Sequence, residues 1–242
     1  MRMPNKDNDS TSLGKTVFLF ALCFTFFISG IMGGQRLLMA AEADRKPLTP
    51  DEKKLFFDRS KEVRKNIITF EAEFKEERSV PSLKKPFLFN GRLFYHQNGL
   101  FFMEYIRPVH YFIHIKGKEA IFYVEGEQTA DLMDITGLKG LGSRPDLFRW
   151  DPDKFKGEIL TDDRGYYLED KEGRESGKNA GKQLTVFLDK KTLFARRIYI
   201  EDAFGDRTTI ILSNIKINHE LPPSVLRFAL PEGVIINRLS QP

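Results

Sequence analysis

The 242-residue sequence is poor in the residue types on which much site chemistry depends. It has one cysteine, Cys23, so disulfide scaffolds and multi-cysteine metal sites are excluded within the chain. It has four histidines, His96, His110, His114 and His219, and none has metal-ligand spacing on a predicted helix. His110 and His114 are four apart, but in an extended segment that separation makes no helical chelate. No Gly-x-Ser-x-Gly elbow occurs. Gly137, Gly140 and Gly142 are in the wrong order for a phosphate loop and lack the following Lys-Ser/Thr. Asp162-Asp163 and Asp202 to Asp206 fall in predicted turns, where Asp serves local backbone hydrogen bonds, and neither spells a calcium loop or a hydrolytic dyad. Charge of one sign is missing too. Against 38 Lys and Arg stand 34 Asp and Glu, a formal +4, which is no footprint of a nucleic-acid binder. No cofactor or metal is called for. The pattern favours a binding protein over an enzyme, with one enzymatic alternative: a lipid hydrolase assembling carboxylates with His110 or His114.

What is present begins with an address. Thr16 to Met32 carries no charge, includes Phe18, Phe20, Phe24, Phe26 and Phe27, and follows Arg2, Lys6 and Lys15. This is the layout of an export signal. Ala41-Glu42-Ala43 supplies a small-x-small cleavage site, so residues 1–43 are expected to leave and 44–242 to form the mature domain. Retention as an inner-membrane anchor is the alternative. Cys23 follows the bulky Leu22 inside the apolar run, so it is apolar filling and not a lipidation site. Without the leader 34 basic and 31 acidic residues remain, and no membrane span follows.

Thr49-Pro50-Asp51-Glu52 is a helix start with a capping box, predicting a helix from Pro50 to Asn66. Its expected apolar face is Leu55, Phe56, Val63 and Ile67; the run Arg59-Ser60-Lys61-Glu62 reads as a solvated face. The period then changes to two, as Phe70, Ala72 and Phe74 alternate with charges. Strands are predicted at Phe70 to Glu76, Phe87 to His96, Leu100 to Ile106, Tyr111 to Ile115, Ala120 to Val124 and Thr129 to Ile135. Asn98-Gly99 predicts a type I′ hairpin turn. Further strands are expected at Ile159 to Glu169, Gln183 to Asp189, Phe194 to Asp202 and Arg207 to Ile217, then a last extended segment ending at Asn237. Thr136 to Phe155 reads as short helices, and Lys171 to Lys182 as a solvated hairpin tip. The fold class is mainly β with a helical lid: an incomplete, strongly curved antiparallel barrel of about 10 or 11 strands. The first helix and the central insertion are its expected covers.

Phenylalanine is abundant: 22 in all, five of them before residue 44. Phe87, Phe89, Phe94, Phe101, Phe102, Phe112 and Phe122 fall on successive strands, and Leu100-Phe101-Phe102-Met103 is apolar on both faces. A one-sided core needs only alternate apolar positions. The surplus reads either as packing on both faces or as a dry chamber for an apolar ligand.

Several segments in order carry a resemblance: the first helix with Ile68-Thr69-Phe70-Glu71-Ala72-Glu73-Phe74; Gly91-Arg92-Leu93-Phe94-Tyr95 and its partner Leu100 to Tyr105 before Pro108; Lys116-Gly117-Lys118 before Ile121-Phe122-Tyr123; Ile200-Glu201-Asp202-Ala203-Phe204-Gly205; and Ser213-Asn214 with Phe228 and Leu230-Pro231-Glu232-Gly233-Val234. Over Asp51 to Arg238 the chain resembles the LolA family, periplasmic carriers of outer-membrane lipoproteins in Gram-negative bacteria. The resemblance implies a helix-lidded half-barrel holding acyl chains, an inner-membrane transporter that delivers the lipoprotein, an outer-membrane acceptor, and no catalysis. The expected cargo is lipoprotein acyl chains, with another lipid or glycolipid as alternative, and the carrier is expected to be a monomer.

The resemblance implies that Phe101 is the cavity-mouth aromatic; by strand parity Met103 and Tyr105 line the same face with Leu93 and Tyr95 opposite, and Ile113 and Phe122 are the further expected lining. Gln97, Leu138 and Leu141 are the expected lid contacts. The family commonly has Arg-Pro where this chain has Gln97-Asn98, so the bond to the lid loses its charge. Phe101→Asp is expected to abolish lipid capture without unfolding the domain.

Overall fold

The computed structural model describes residues 45–135, 155, 157–172 and 182–239. The leader with Cys23, the central insertion with Leu138 and Leu141, and the hairpin tip at 173–181 lie outside the described residues. Among the described residues no helix is long and apolar enough to cross a membrane.

The chain runs β1 (Lys46–Pro47), α1 (Pro50–Lys65), β2 (Thr69–Ser79), β3 (Phe87–His96), β4 (Leu100–Arg107), β5 (Tyr111–Lys116), β6 (Glu119–Val124), β7 (Thr129–Asp134), β8 (Glu158–Thr161), β9 (Gly165–Glu172), β10 (Lys182–Asp189), β11 (Ala195–Glu201), β12 (Arg207–Ile217), α2 (Pro223–Leu226) and β13 (Ile235–Leu239). All described strands join one sheet in the order β1-β8-β9-β10-β11-β12-β2-β3-β4-β5-β6-β7-β13. Neighbours are antiparallel except β13, which runs parallel to β7. The border strands β1 and β13 do not pair, so the sheet stays open. It is the expected half-barrel, with more strands than expected.

Helix α1 starts as the sequence dictates. The Thr49 side chain accepts from the Glu52 N–H at 3.3 Å, and the Glu52 carboxylate accepts from the Thr49 N–H at 2.9 Å. Its ends are fixed on different strands. Before it, Leu48 N–H donates to the Ile159 carbonyl at 3.0 Å. After it, Ile68 N–H donates to Asn218 Oδ1 and Asn218 Nδ2 donates to the Asn66 carbonyl, each at 2.8 Å. The helix thus reaches from β8 to β2 across the inner face, where Phe56 meets Tyr166 with ring centroids 4.6 Å apart.

Several expectations are corrected. Leu55 is 70% exposed, and the buried positions of α1 are Phe56 and Ser60; Ser60 therefore points inward from the charged run read as a solvated face. Arg59 donates to the Lys191 carbonyl at 2.7 Å. At the β3–β4 turn Gly99 has positive φ and Asn98 does not, so the three-residue loop Gln97-Asn98-Gly99 replaces a type I′ turn. The Asn98 side chain accepts from the Leu100 N–H at 3.2 Å there. Ile159 to Glu169 is two strands, broken where Asp162 Oδ1 accepts from the Arg164 and Gly165 N–H groups. The final segment holds a short helix and a parallel strand.

The doubly apolar runs have a packing reason. On the outer face Phe94, Leu100 and Phe102 are covered by Leu221 and Val225, at either side of the start of α2, with Phe112 and Phe228 packed alongside. Phe228 lies 5.2 Å from the Phe102 ring and stacks on His114 at 5.0 Å. That burial lowers the His114 pKa, with Lys116 adding to it.

Candidate functional site

The inner face is built from rows of residues paired across strands. One row runs Ala72, Leu93, Met103, Ile113, Phe122; the next runs Phe70, Tyr95, Phe101, Ile115, Ala120; a third runs Phe74, Gly91, Tyr105, Tyr111, Val124. Successive rows lie about 7 Å apart along the strands. Leu93 thus faces Met103, and Tyr95 faces Phe101. The register puts all seven candidate lining residues on this one face.

Their burial differs from strand to strand. In the first row Ala72 is fully buried, Leu93 is 3% and Met103 9% exposed, while Ile113 and Phe122 are half-buried. Leu93, Tyr95, Phe101, Met103 and Tyr105 belong to the main core that α1 closes with Phe56, and Ile113 packs against that core. The inner face of β3 and β4 is therefore core, and the half-buried apolar surface lies at Ile113 of β5 and Phe122 of β6. Phe101 is 6% exposed, so an aspartate there would be a buried unpaired charge, and Phe101→Asp is not a structurally silent test.

Gly91 gives this face its relief. A Cβ there would sit 2.0 Å from the Glu104 carbonyl oxygen and 2.7 Å from the Phe74 ring. Only glycine lets Phe74 lie across β3, where it meets Tyr105 edge-on at 4.8 Å. Gln97 is exposed in the β3–β4 turn, and its N–H donates to the Ile68 carbonyl at 2.8 Å, beside the exit of α1. Leu138 and Leu141 fall outside the described residues.

A polar group that the sequence reading missed lies on the same face. Glu76 follows Phe74 by parity and is 3% exposed, in a row with Ile198, Ile210 and Phe89. Its Oε1 accepts from Arg78 Nε, and its Oε2 accepts from the Tyr105 hydroxyl at 2.7 Å. Tyr111 stacks on Tyr105 at 4.0 Å, and the Arg78 guanidinium lies 4.9 Å over the Phe89 ring. Burial, then the Glu76 charge, pushes the Tyr105 pKa well up. Burial also raises Tyr111 to about 12, so both phenols stay neutral. Burial works against the charged Arg78, but Glu76 outweighs it and holds the guanidinium protonated. The signal was available: alternation carries Glu76 and Arg78 inward, where a solvated pair would not be placed.

The other polar clusters have local structural roles. Burial disfavours the Asp162 carboxylate, but hydrogen bonds from Arg164, Tyr167 and two backbone N–H groups outweigh it and hold its pKa at about 2. His110 bridges Glu104 and Glu125 on the outer side. Among the described residues no cluster of three or more His, Cys, Asp or Glu is placed to hold a metal. A cavity of about 610 Å³ opens near the β5–β7 ends, but Lys116, Lys118, Glu119, Asp134 and Arg238 line much of it, which suits no acyl chain.

No family model matches the chain, and no curated protein matches its sequence. Its chain path is similar to that of a LolA superfamily protein from Nitrosomonas europaea, at 15% identity and TM-score 0.42, covering 72% of this chain and 96% of that one. It is similar to an uncharacterized conserved protein from Thermus thermophilus, at 13% identity and TM-score 0.45, covering 77% and 98%. A domain named for outer-membrane lipoprotein sorting, from Vibrio parahaemolyticus, aligns at 11% identity and TM-score 0.44, covering 70% and 94%. None of these likenesses assigns a cargo.

Proposed function

We propose that this protein is a periplasmic lipid carrier that shelters the acyl chains of lipoproteins between the inner and outer membranes, exported by the leader at residues 1–43. One observation carries the reading: the apolar inner face does not end where α1 ends, but runs on through the half-buried Ile113 and Phe122. Each methylene removed from water contributes roughly 0.8 kcal/mol, so two or three acyl chains laid on such a surface gain enough to be held in solution. Hand-over then needs only a more favourable surface at the next station, and no nucleotide or metal at this one. Partners on the two membranes follow from the family resemblance.

A second reading is a carrier or sensor of another lipid. The buried Glu76 with Arg78 and Tyr105 favours it, because acyl chains alone make no use of a charged pair on this face. Native mass spectrometry of the protein purified from a periplasmic extract tests both. An acylated polypeptide in the complex is the expected result, and a free lipid supports the second reading. Protein that carries neither, and takes up neither when supplied, overturns both.

A further inference from the structure

Burying Glu76 is expensive, and replacing such an ion pair by well-packed apolar residues is commonly neutral or stabilising. The pair is therefore poorly explained as a stabilising device. What it does locally is fix one arginine. Glu76 turns both oxygens inward, one to Arg78 Nε and one to Tyr105, while the Phe89 ring lies under the guanidinium. Thr208 and Phe87 flank Arg78 in register. The Arg78 side chain is nevertheless 41% exposed, so its outer end meets whatever occupies this end of the face. Tyr111, stacked on Tyr105, stands on the border between this group and the half-buried apolar rows.

We propose that Arg78 and Tyr111, backed by Glu76 and Tyr105, form the headgroup end of the acyl surface and select amphiphiles whose chain carries an anionic oxygen group, a carboxylate or a phosphate. The inference rests on the reading of the half-buried inner face of β5 and β6 as the acyl site. The chemistry fits the residues. A guanidinium presents planar paired donors matched to two oxygens of one anion, which a lysine does not, and a neutral phenol adds a donor that does not compete for charge. Ile113 lies one row, about 7 Å, beyond Tyr111 along β5, with Phe122 paired to it, so a chain that starts at Tyr111 runs onto these two residues.

The test displaces the uncharged dye Nile red from the full-length protein with palmitate, with hexadecanol and with inorganic phosphate. Palmitate is expected to bind at least tenfold more tightly than hexadecanol, and phosphate alone to displace nothing. In Arg78→Gln the advantage of the acid over the alcohol falls below about threefold, and Arg78→Lys keeps part of it. Equal binding of acid and alcohol to the unmodified protein overturns the proposal, and that comparison stands even where a variant fails to fold. Equal losses for both ligands in Arg78→Gln overturn it as well, because the arginine is then structural. Displacement by phosphate alone assigns the site to a free anion and overturns the headgroup role. If neither chain-bearing ligand displaces the dye, the acyl site itself is refuted and the headgroup with it; if hexadecanol binds and palmitate gains nothing, only the headgroup falls.

Discussion

The Tyr105 hydroxyl donates to Glu76 Oε2 at 2.7 Å, and neither residue is more than 3% exposed. Tyr105→Phe deletes the donor and leaves a carboxylate oxygen buried without its partner. The expected loss is about 1–3 kcal/mol, the range for stranding a buried polar group, read from urea unfolding. A double-mutant cycle with Glu76→Gln should show coupling of the same order. Additive losses would mean that the hydrogen bond contributes nothing of its own.

Phe122 lies on the inner face at a half-buried position, paired with Ile113, unlike the enclosed Phe101. Phe122→Asp should weaken Nile red binding tenfold or more while stability changes by roughly 1–2 kcal/mol at most. Dye titration beside thermal unfolding checks both halves. Unchanged binding in the folded variant would remove β6 from the acyl surface.

How much of this was readable from the residues depends on distance along the chain. Helix α1 and the strands from Phe87 to Asp134 follow from caps, alternation and short turns, all of them local, and parity alone put Leu93 opposite Met103. The pairing of β13 with β7 was not readable, because it joins Ile235 to Thr129 and no local pattern encodes a parallel partner a hundred residues away. Glu76 and Arg78 are hidden for a different reason: apolar alternation marks an inward face by its apolar residues and gives no sign of a charged pair that continues it. The outer-face phenylalanines fit a packed second face as well as a chamber, until the Leu221 to Phe228 segment settled which.

Ser60 is 2% exposed on α1, and its hydroxyl has no hydrogen-bond partner among the described residues. Its carbonyl is engaged by Arg64 Nε at 3.1 Å, so the backbone does not depend on the side chain. Ser60→Ala should stabilise the domain by about 1 kcal/mol, from the stranded hydroxyl removed and the better helix former installed. The melting temperature should rise by about 2–4 °C. A fall would show that the hydroxyl is satisfied in solution.

His110 should make stability depend on pH. Burial disfavours its charged form, yet contacts with Glu104 at 3.0 Å and Glu125 at 2.6 Å outweigh it and raise the pKa above 6.5. Arg92 shares Glu104 at 2.6 Å. A group whose folded pKa is raised stabilises fully below its unfolded pKa, and loses that contribution as pH climbs through the folded value. The melting-temperature gap between the parent and His110→Gln should therefore be widest below the ordinary histidine value of 6.5 and narrow as pH rises through the raised one. A gap that ignores pH would exclude the ion pairs as its source.

The strand that borders β7 comes from residues 235–239, although β7 itself ends at Asp134. During synthesis one margin of the sheet therefore waits, with bare amides and carbonyls, until about a hundred further residues have been made. A nascent chain arrested before residue 235 would carry an adhesive seam, open to pairing with a neighbour. The late arrival of β13 makes residues 235–239 the segment that covers the free edge of β7 and becomes the border in its place.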